Sequence, residues 1–254
     1  MIHKTAIIEP GAQLGRDVHV GAYAYVGPEV VLGDGCVLHH HASVEGFCTM
    51  GKNNEVFPFA MIGGKTQDLK YVGGKTGLKI GDNNVFREHT TVHCATKDGE
   101  FTVLGNNNYL LGSTHVAHDC QLGNHIIISL GAVLGGHVVI EDHAIIGGAT
   151  GIHQFCHIGQ YSFIGGLVKV VQDVLPYMLV DGTPAEAKSI NTVGLQRAGF
   201  SEEEQSLLKK AFKLIYRSGL NRSQAMDAIR PLTDVNGRIA DILLFVQDSS
   251  RGIH

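Results

Sequence analysis

An aliphatic residue recurs at every sixth position, in one phase, for most of the first two thirds of the chain. From Ile8 the beat runs through Leu14, Val20, Val26, Leu32, Leu38, Val44, Met50, Val56 and Ile62, returns at Ile80, Phe86 and Val92, and continues from Leu104 to Val170. A helix needs apolar residues three or four apart, and an isolated strand needs alternation. A sustained period of six therefore means short strands separated by tight corners and stacked as a solenoid.

The position two before each beat is mostly small or β-branched, as at Ala24, Cys36, Ala42, Cys48, Cys120, Ala132, Val138 and Cys156. Residues two apart share a strand face, so both positions point inward. Glycine often follows the beat (Gly15, Gly33, Gly105, Gly147), where the expectation is a corner that needs permissive dihedrals. The pattern is that of a hexapeptide parallel β-helix, mainly β in class, with three hexads making a triangular coil of eighteen residues. Stacked coils then lie ~4.8 Å apart.

Composition narrows the function. The 254 residues carry 33 glycines, 44% hydrophobic residues and a formal net charge of −4, which fits a glycine-punctuated solenoid and gives no case for nucleic acid. No leader or membrane-spanning run is visible, so no stable membrane insertion and a cytoplasmic location are expected. The cysteines form no CxxC pair, and four of the five occupy the inward small slot as core fillers.

The expected organisation is a β-helix over 1–176, with loops ejected near 64–79 and 94–103, and a crossing segment with a C-terminal α-helical domain over 177–254. Both interruptions are polar, and loops on a rigid scaffold concentrate binding groups. Past Val170, Pro176, Gly182 and Pro184 mark the crossing segment. Ser201 with Glu204 forms a capping box, and an apolar stripe from Leu207 to Ile215 ends before Gly219. Further helices are expected over Gln224–Arg230 and Arg238–Gln247. Lys209, Lys210, Lys213 and Arg217 cluster on the first helix, either as a solvated face or as a dock for an acidic partner.

Residues eighteen apart occupy the same column on adjacent coils, so sequence spacing becomes spatial proximity. His118, His137 and His153 are then expected near one corner of three successive coils. Asp119 lies directly below His137 and beside His118, and Gly136 lies directly above His118. An imidazole flanked by a carboxylate, with a backbone N–H one rung away, supplies a general base and an oxyanion donor. The competing reading is a metal site made by the three imidazoles. Tyr109, Ile127, Ile145 and Phe163 form an outward apolar column, covered either by the C-terminal helices or by another subunit.

Over essentially the whole chain the sequence resembles the UDP-N-acetylglucosamine O-acyltransferases that begin lipid A synthesis. The resemblance rests on QDLKY (Gln67–Tyr71), HVAHDC (His115–Cys120), LGGHV (Leu134–Val138), GIHQFCHIG (Gly151–Gly159), NTVGLQRAGF (Asn191–Phe200) and KLIYRSG (Lys213–Gly219). It implies a left-handed β-helix, a homotrimer with sites between subunits, and transfer of an (R)-3-hydroxyacyl group from acyl carrier protein to the 3-hydroxyl of UDP-N-acetylglucosamine. It further implies His118 as general base, Asp119 as its orienting partner and the Gly136 N–H as oxyanion donor. Asp68, Lys70, His115, His137, His153 and Gln154 match the substrate-contacting positions of the family, Asn191 and Arg197 its nucleotide-binding tail, and Gly166 the position that sets acyl-chain length. No metal or cofactor is implied beyond the phosphopantetheine of the acyl carrier protein.

Two departures stand out. Val193 replaces a glutamate that many relatives carry two residues after the tail asparagine, and Pro184 replaces a histidine seven residues before it. Some relatives acylate a 3-amino sugar, so N-acylation is the alternative to O-acylation. A γ-type carbonic anhydrase, with zinc held by three histidines on a similar helix, is the more distant alternative; it gives Asp119 and the QDLKY loop no role.

Overall fold

The computed structural model describes residues 1–232 and 236–254. Short strands at the beat, most of them two residues long, stack in parallel register into three sheets. The first has nine strands, from Ile7–Ile8 to Lys169–Val170; the second has eight, from Gln13–Leu14 to His157–Ile158. The third has ten and begins at His19–Val20. The chain visits them in rotation, one triangular coil per circuit. The inward column is closed: Val26, Val44, Leu110, Ile128 and Ile146 are buried, as are the small-slot residues Ala24, Cys36, Cys48, Cys120 and Cys156. Each such aliphatic contributes roughly 1.5 to 3 kcal/mol on burial.

Register follows the eighteen-residue arithmetic. Tyr109 pairs with Ile127, Ile127 with Ile145, and Ile145 with Phe163 on the ten-stranded sheet. On the nine-stranded sheet Ile62 pairs with Val92 and Val92 with Val116, spacings of 30 and 24 residues. The excess of twelve and six residues is taken up within the loops over 65–76 and 94–100, and because both excesses are multiples of six the phase survives. The strands flanking them are Met61–Gly64 with Gly77–Ile80, and Thr91–His93 with Phe101–Leu104.

The glycines after the beat play a different part from the one expected. The left-handed backbone falls two positions later, mostly on non-glycine residues such as Asp17, His41, Asp119 and His137, with glycine there at Gly11, Gly35 and Gly131. What the glycines provide is close stacking: a Cβ on Gly147 would lie 2.4 Å from the backbone carbonyl carbon of Gly165, and one on Gly105 would lie 2.5 Å from the Gly123 oxygen.

Beyond the beat, the crossing segment forms a hairpin. Met178–Asp181 pairs parallel with Phe163–Ile164 and antiparallel with Glu186–Ile190, adding two strands to the ten-stranded sheet. Gly182 and Pro184 sit in its turn. Helices follow: α1 (Thr192–Arg197), α2 (Glu202–Tyr216), α3 (Arg222–Ile229) and α4 (Arg238–Asp248). The capping box of Ser201 and Glu204 opens α2 as expected, and the six-residue α1 lies outside the expected helices. Leu208, Ala211 and Phe212 of α2, Ile229 of α3 and Ile242 of α4 are buried. Phe245 of α4 lies on the His157 ring with centroids 4.2 Å apart, so this helix covers the eight-stranded face. Tyr109 and Ile127 on the ten-stranded face stay 37% and 38% exposed.

Candidate active site

Both loops leave the prism at one edge, where the nine-stranded sheet turns into the eight-stranded one. On the next two coils that edge narrows to the tight turns that carry His118–Asp119 and Gly136–His137. The loops therefore build a wall beside a pair of bare corners.

His118 Nδ1 lies 2.7 Å from Asp119 Oδ2, and His137 Nε2 lies 3.5 Å from the same oxygen. Asp119 is nearly buried, its side chain 7% exposed. Burial pushes its pKa up, but the His118 hydrogen bond, the Thr96 N–H at 3.1 Å and the nearby His137 outweigh this and hold it below the ordinary carboxylate range. An ionised carboxylate only accepts, so His118 donates from Nδ1 and presents a bare Nε2 lone pair. Gly136 seals one side of the ring: a Cβ there would lie 2.4 Å from His118 Cε1 and 2.6 Å from Nε2. The Gly136 N–H donates to no group among the described residues.

The loops support this pair. Thr66 and Thr96, both buried, join their hydroxyls at 3.0 Å and tie one loop to the other. The Thr66 hydroxyl accepts from the Asp68 N–H at 3.2 Å, and the Thr102 hydroxyl accepts from the Asp119 N–H at 2.8 Å. Asp68 is thereby delivered to the edge, where its carboxylate and nitrogens of His118 and His137 lie within 4.8 Å of one another. Lys70 is exposed two residues on, its N–H donating to Asp68 Oδ1 at 2.9 Å.

The expected three-imidazole ladder is only partly formed. The His118 and His137 rings meet edge to face at 5.4 Å, but the ring stacked above His137, 4.6 Å away, is that of Phe155. Adding eighteen to 137 gives 155, whereas His153 continues the column of Gly135. His153 is exposed, with Nδ1 2.9 Å from the Gln154 carbonyl oxygen; Gln154 is exposed too. Within one chain the three histidines therefore do not converge on one point.

His115 sits on the adjoining nine-stranded face, Nδ1 2.7 Å from Thr91 Oγ1. It packs against His93, ring centroids 4.9 Å apart, which sequence reasoning passed over. Burial, aided by His115 and His118, holds the His93 pKa down at about 4. The available signal was its position immediately before the second polar interruption.

The remaining candidates lie elsewhere on one chain. Gly166 occupies the edge between the ten- and nine-stranded sheets, where a Cβ would meet only Gly148 backbone, at 3.3 Å or beyond. Asn191 is buried at the far end of the prism: its Oδ1 caps α1 by accepting from the Gly194 N–H at 3.1 Å, and its Nδ2 donates to Tyr161 O at 2.9 Å. Its amide anchors the helix whose last turn carries the exposed Arg197.

Comparison with known proteins agrees with this architecture. A profile described as bacterial transferase hexapeptide (six repeats) matches residues 11–46, and one described as UDP N-acetylglucosamine O-acyltransferase, domain 2, matches 173–254. The acyl-[acyl-carrier-protein]–UDP-N-acetylglucosamine O-acyltransferase of Syntrophobacter fumaroxidans is 44% identical, covering 99% of this chain and 98% of that protein. Its namesake from Saccharophagus degradans is 45% identical over the same shares. Among solved structures, LpxA from Acinetobacter baumannii superposes with a TM-score of 0.95 at 44% identity, covering 99% of this chain and 98% of the other. LpxA of Bacteroides fragilis, a UDP-N-acetylglucosamine acyltransferase, gives 0.96 at 36% identity with full coverage of both. With the left-handed hexapeptide β-helix, the C-terminal helices and full-length identity in agreement, the chain belongs to the UDP-N-acetylglucosamine O-acyltransferase family.

Proposed function

We propose that this acyltransferase moves an (R)-3-hydroxyacyl group from acyl carrier protein to the 3-hydroxyl of UDP-N-acetylglucosamine, with His118 as general base. The 2.7 Å contact between His118 and Asp119 carries the reading, because it leaves Nε2 as the proton acceptor. Nε2 takes the hydroxyl proton as the oxygen attacks the thioester carbonyl. The Gly136 N–H donates to the resulting oxyanion. Collapse breaks the carbon–sulfur bond, and the departing thiolate takes the proton back from His118. The reacting carbonyl arrives on the donor's phosphopantetheine, so the protein needs no cofactor of its own.

A hydroxyl, unlike a neutral amine, is a weak nucleophile until its proton is removed, which favours O- over N-acylation here. Asp68, Lys70, His115, His137, His153 and Gln154 surround the sugar in this reading. Arg197 suits a phosphate, since its fork can bind two oxygens. Lys209, Lys210, Lys213 and Arg217, exposed along α2, suit the acidic surface of a carrier protein.

Three groups of candidates occupy three edges: His118 on one, Gly166 on the next, and Asn191 near Tyr161 on the third. A threefold assembly brings edges of different copies together. Exposed Ile127, Leu130 and Val133 supply an apolar contact surface for it. Among the described residues no helix is long and apolar enough to cross a membrane.

His118→Ala is expected to fold with an unchanged melting temperature and to lose nearly all acyl transfer. Mass spectrometry of products from a panel of hydroxyacyl carrier proteins, with 3-hydroxy and 3-amino sugar nucleotides as acceptors, reads both the reaction and its atom. Retained turnover removes His118 as the base, and acylation of the amine alone replaces the oxygen acceptor.

A further inference from the structure

We propose that Asp68, His118 and His137 form a binding site for a divalent transition-metal ion of the zinc class. The inference stands on the donor geometry and goes beyond the acyl-transfer reading.

One ligand atom from each residue lies within 4.8 Å of the others. A tetrahedral ion bound at ~2.0–2.1 Å holds its donors roughly 3.3 Å apart, so a closure of about 1.5 Å or less completes the triad. The carboxylate is the donor able to move, because Asp68 rides on the loop over 65–76 while both imidazoles sit at corners of the stacked prism. Two imidazoles and one carboxylate select zinc, cobalt or copper over magnesium or calcium, which prefer all-oxygen shells.

The surroundings match what a ligating histidine needs. Asp119 accepts from His118 Nδ1 and so turns the Nε2 lone pair outward, the carboxylate–histidine arrangement that orients a metal ligand. Thr96 fixes Asp119 in turn through its N–H. The His137 side chain is 34% exposed, leaving a solvent-facing side for water as the fourth ligand. The same Nε2 lone pair cannot accept a proton while it holds an ion. Any acid–base step through His118 therefore stops on occupation.

The test uses tag-free, full-length protein and Co2+ as a spectroscopic probe. Expected is the visible d–d absorption of tetrahedral Co2+, abolished by Zn2+. The affinity should fall about tenfold or more in Asp68→Asn and in His137→Ala, with a similar loss in Asp119→Asn through the orienting contact. His41→Ala, on another edge, should leave the spectrum intact. Asp68→Asn alters an exposed excursion and not the coil stack, so a thermal melt matching that of the parent excludes misfolding. No tetrahedral spectrum, or one retained in Asp68→Asn and lost in His41→Ala, overturns the assignment. Because the absorption reports the ion whether or not any acyl group is transferred, failure here is distinct from failure of His118 as base.

Discussion

Replacing Gly136 by alanine tests how the site is assembled. The added Cβ would stand 2.4 Å from Cε1, 2.6 Å from Nε2 and 3.0 Å from Nδ1 of His118. Carbon contacts settle near 3.5 Å, so the imidazole must withdraw by about 1 Å. It has little room to do so while keeping its 2.7 Å bond to Asp119, with the His137 ring edge-on at 5.4 Å. A misplacement of 1 Å costs roughly 10²-fold in rate, or about 2.7 kcal/mol of barrier. Stability should change by less than about 1 kcal/mol, since the obstacle is a side chain and Gly136 does not need a left-handed backbone. Alanine keeps the backbone N–H, so oxyanion donation survives and the loss isolates the position of the base. The assay is steady-state acyl transfer with a thermal melt on the same preparation: kcat should fall while KM for the sugar nucleotide holds. Gly148→Ala serves as control, its nearest neighbour being the Leu130 carbonyl oxygen at 3.3 Å. Turnover of Gly136→Ala within about threefold of the parent would refute the reasoning.

Two further outcomes are expected. Thr96→Val removes the 3.0 Å bond to Thr66 and loosens the loop that delivers Asp68, lowering kcat/KM about tenfold at ~1.4 kcal/mol, whereas Thr96→Ser preserves it; equal rates for the three proteins would discount the tie between loops. The folded chain should also lose stability in acid through His93, which is 3% exposed with its pKa held near 4, against an ordinary value of 6.5. Between those values the unfolded chain binds the proton and the folded chain refuses it, so the contribution is complete above about pH 6.5 and falls as pH drops toward 4, by about 3 kcal/mol at most. His115 and His254 shift in the same direction. Urea titrations across that window should show a flatter acid limb for His93→Leu, and an unchanged slope would exclude His93 as a source.

The prism was legible because its signal is one-dimensional. A residue at the beat has only one inward place to go, and Ile128 and Ile146 took it. Registers eighteen apart followed, so the pairing of Tyr109 with Ile127 and the meeting of His118, Asp119 and Gly136 could be counted off the sequence. What could not be counted is what departs from the count. His153 lies two positions out of the His137 column, a small sequence offset that puts Phe155 on the ring instead. The approach of Asp68 depends on how the ejected loop folds back, which rests on the Thr66–Thr96 bond across 30 residues and leaves no periodic trace. The hairpin over Met178–Ile190 was hidden because its alternation is brief and its turn carries Gly182 and Pro184, read as a crossing.

The glycine reading failed for a reason that bears on function. At most corners one residue adopts left-handed dihedrals, at a cost of roughly 1 kcal/mol for a side chain other than glycine. The chain accepts that cost at Asp119 (φ 61°), His137 (φ 60°) and Phe155 (φ 67°), uses glycine for it at Gly11, Gly35 and Gly131, and places the glycines that follow the beat, such as Gly105 and Gly147, where coils approach closely. The strained residue is held by its own N–H, which donates to a carbonyl one coil below: His137 to His118 at 3.0 Å and Phe155 to Gly136 at 3.1 Å. At Asp119 the loop over 94–100 interrupts that ladder, and the Thr102 hydroxyl takes the missing carbonyl's place at 2.8 Å. A position that tolerates any side chain and is fixed through its backbone can carry chemistry at every rung. The rung at which the ejected loop breaks the ladder and a threonine hydroxyl repairs it is the rung that holds the proton-transfer pair. Loop ejection, which first looks like damage to the repeat, is what gives this edge of the prism two walls, a buried carboxylate and a neighbour for its imidazole.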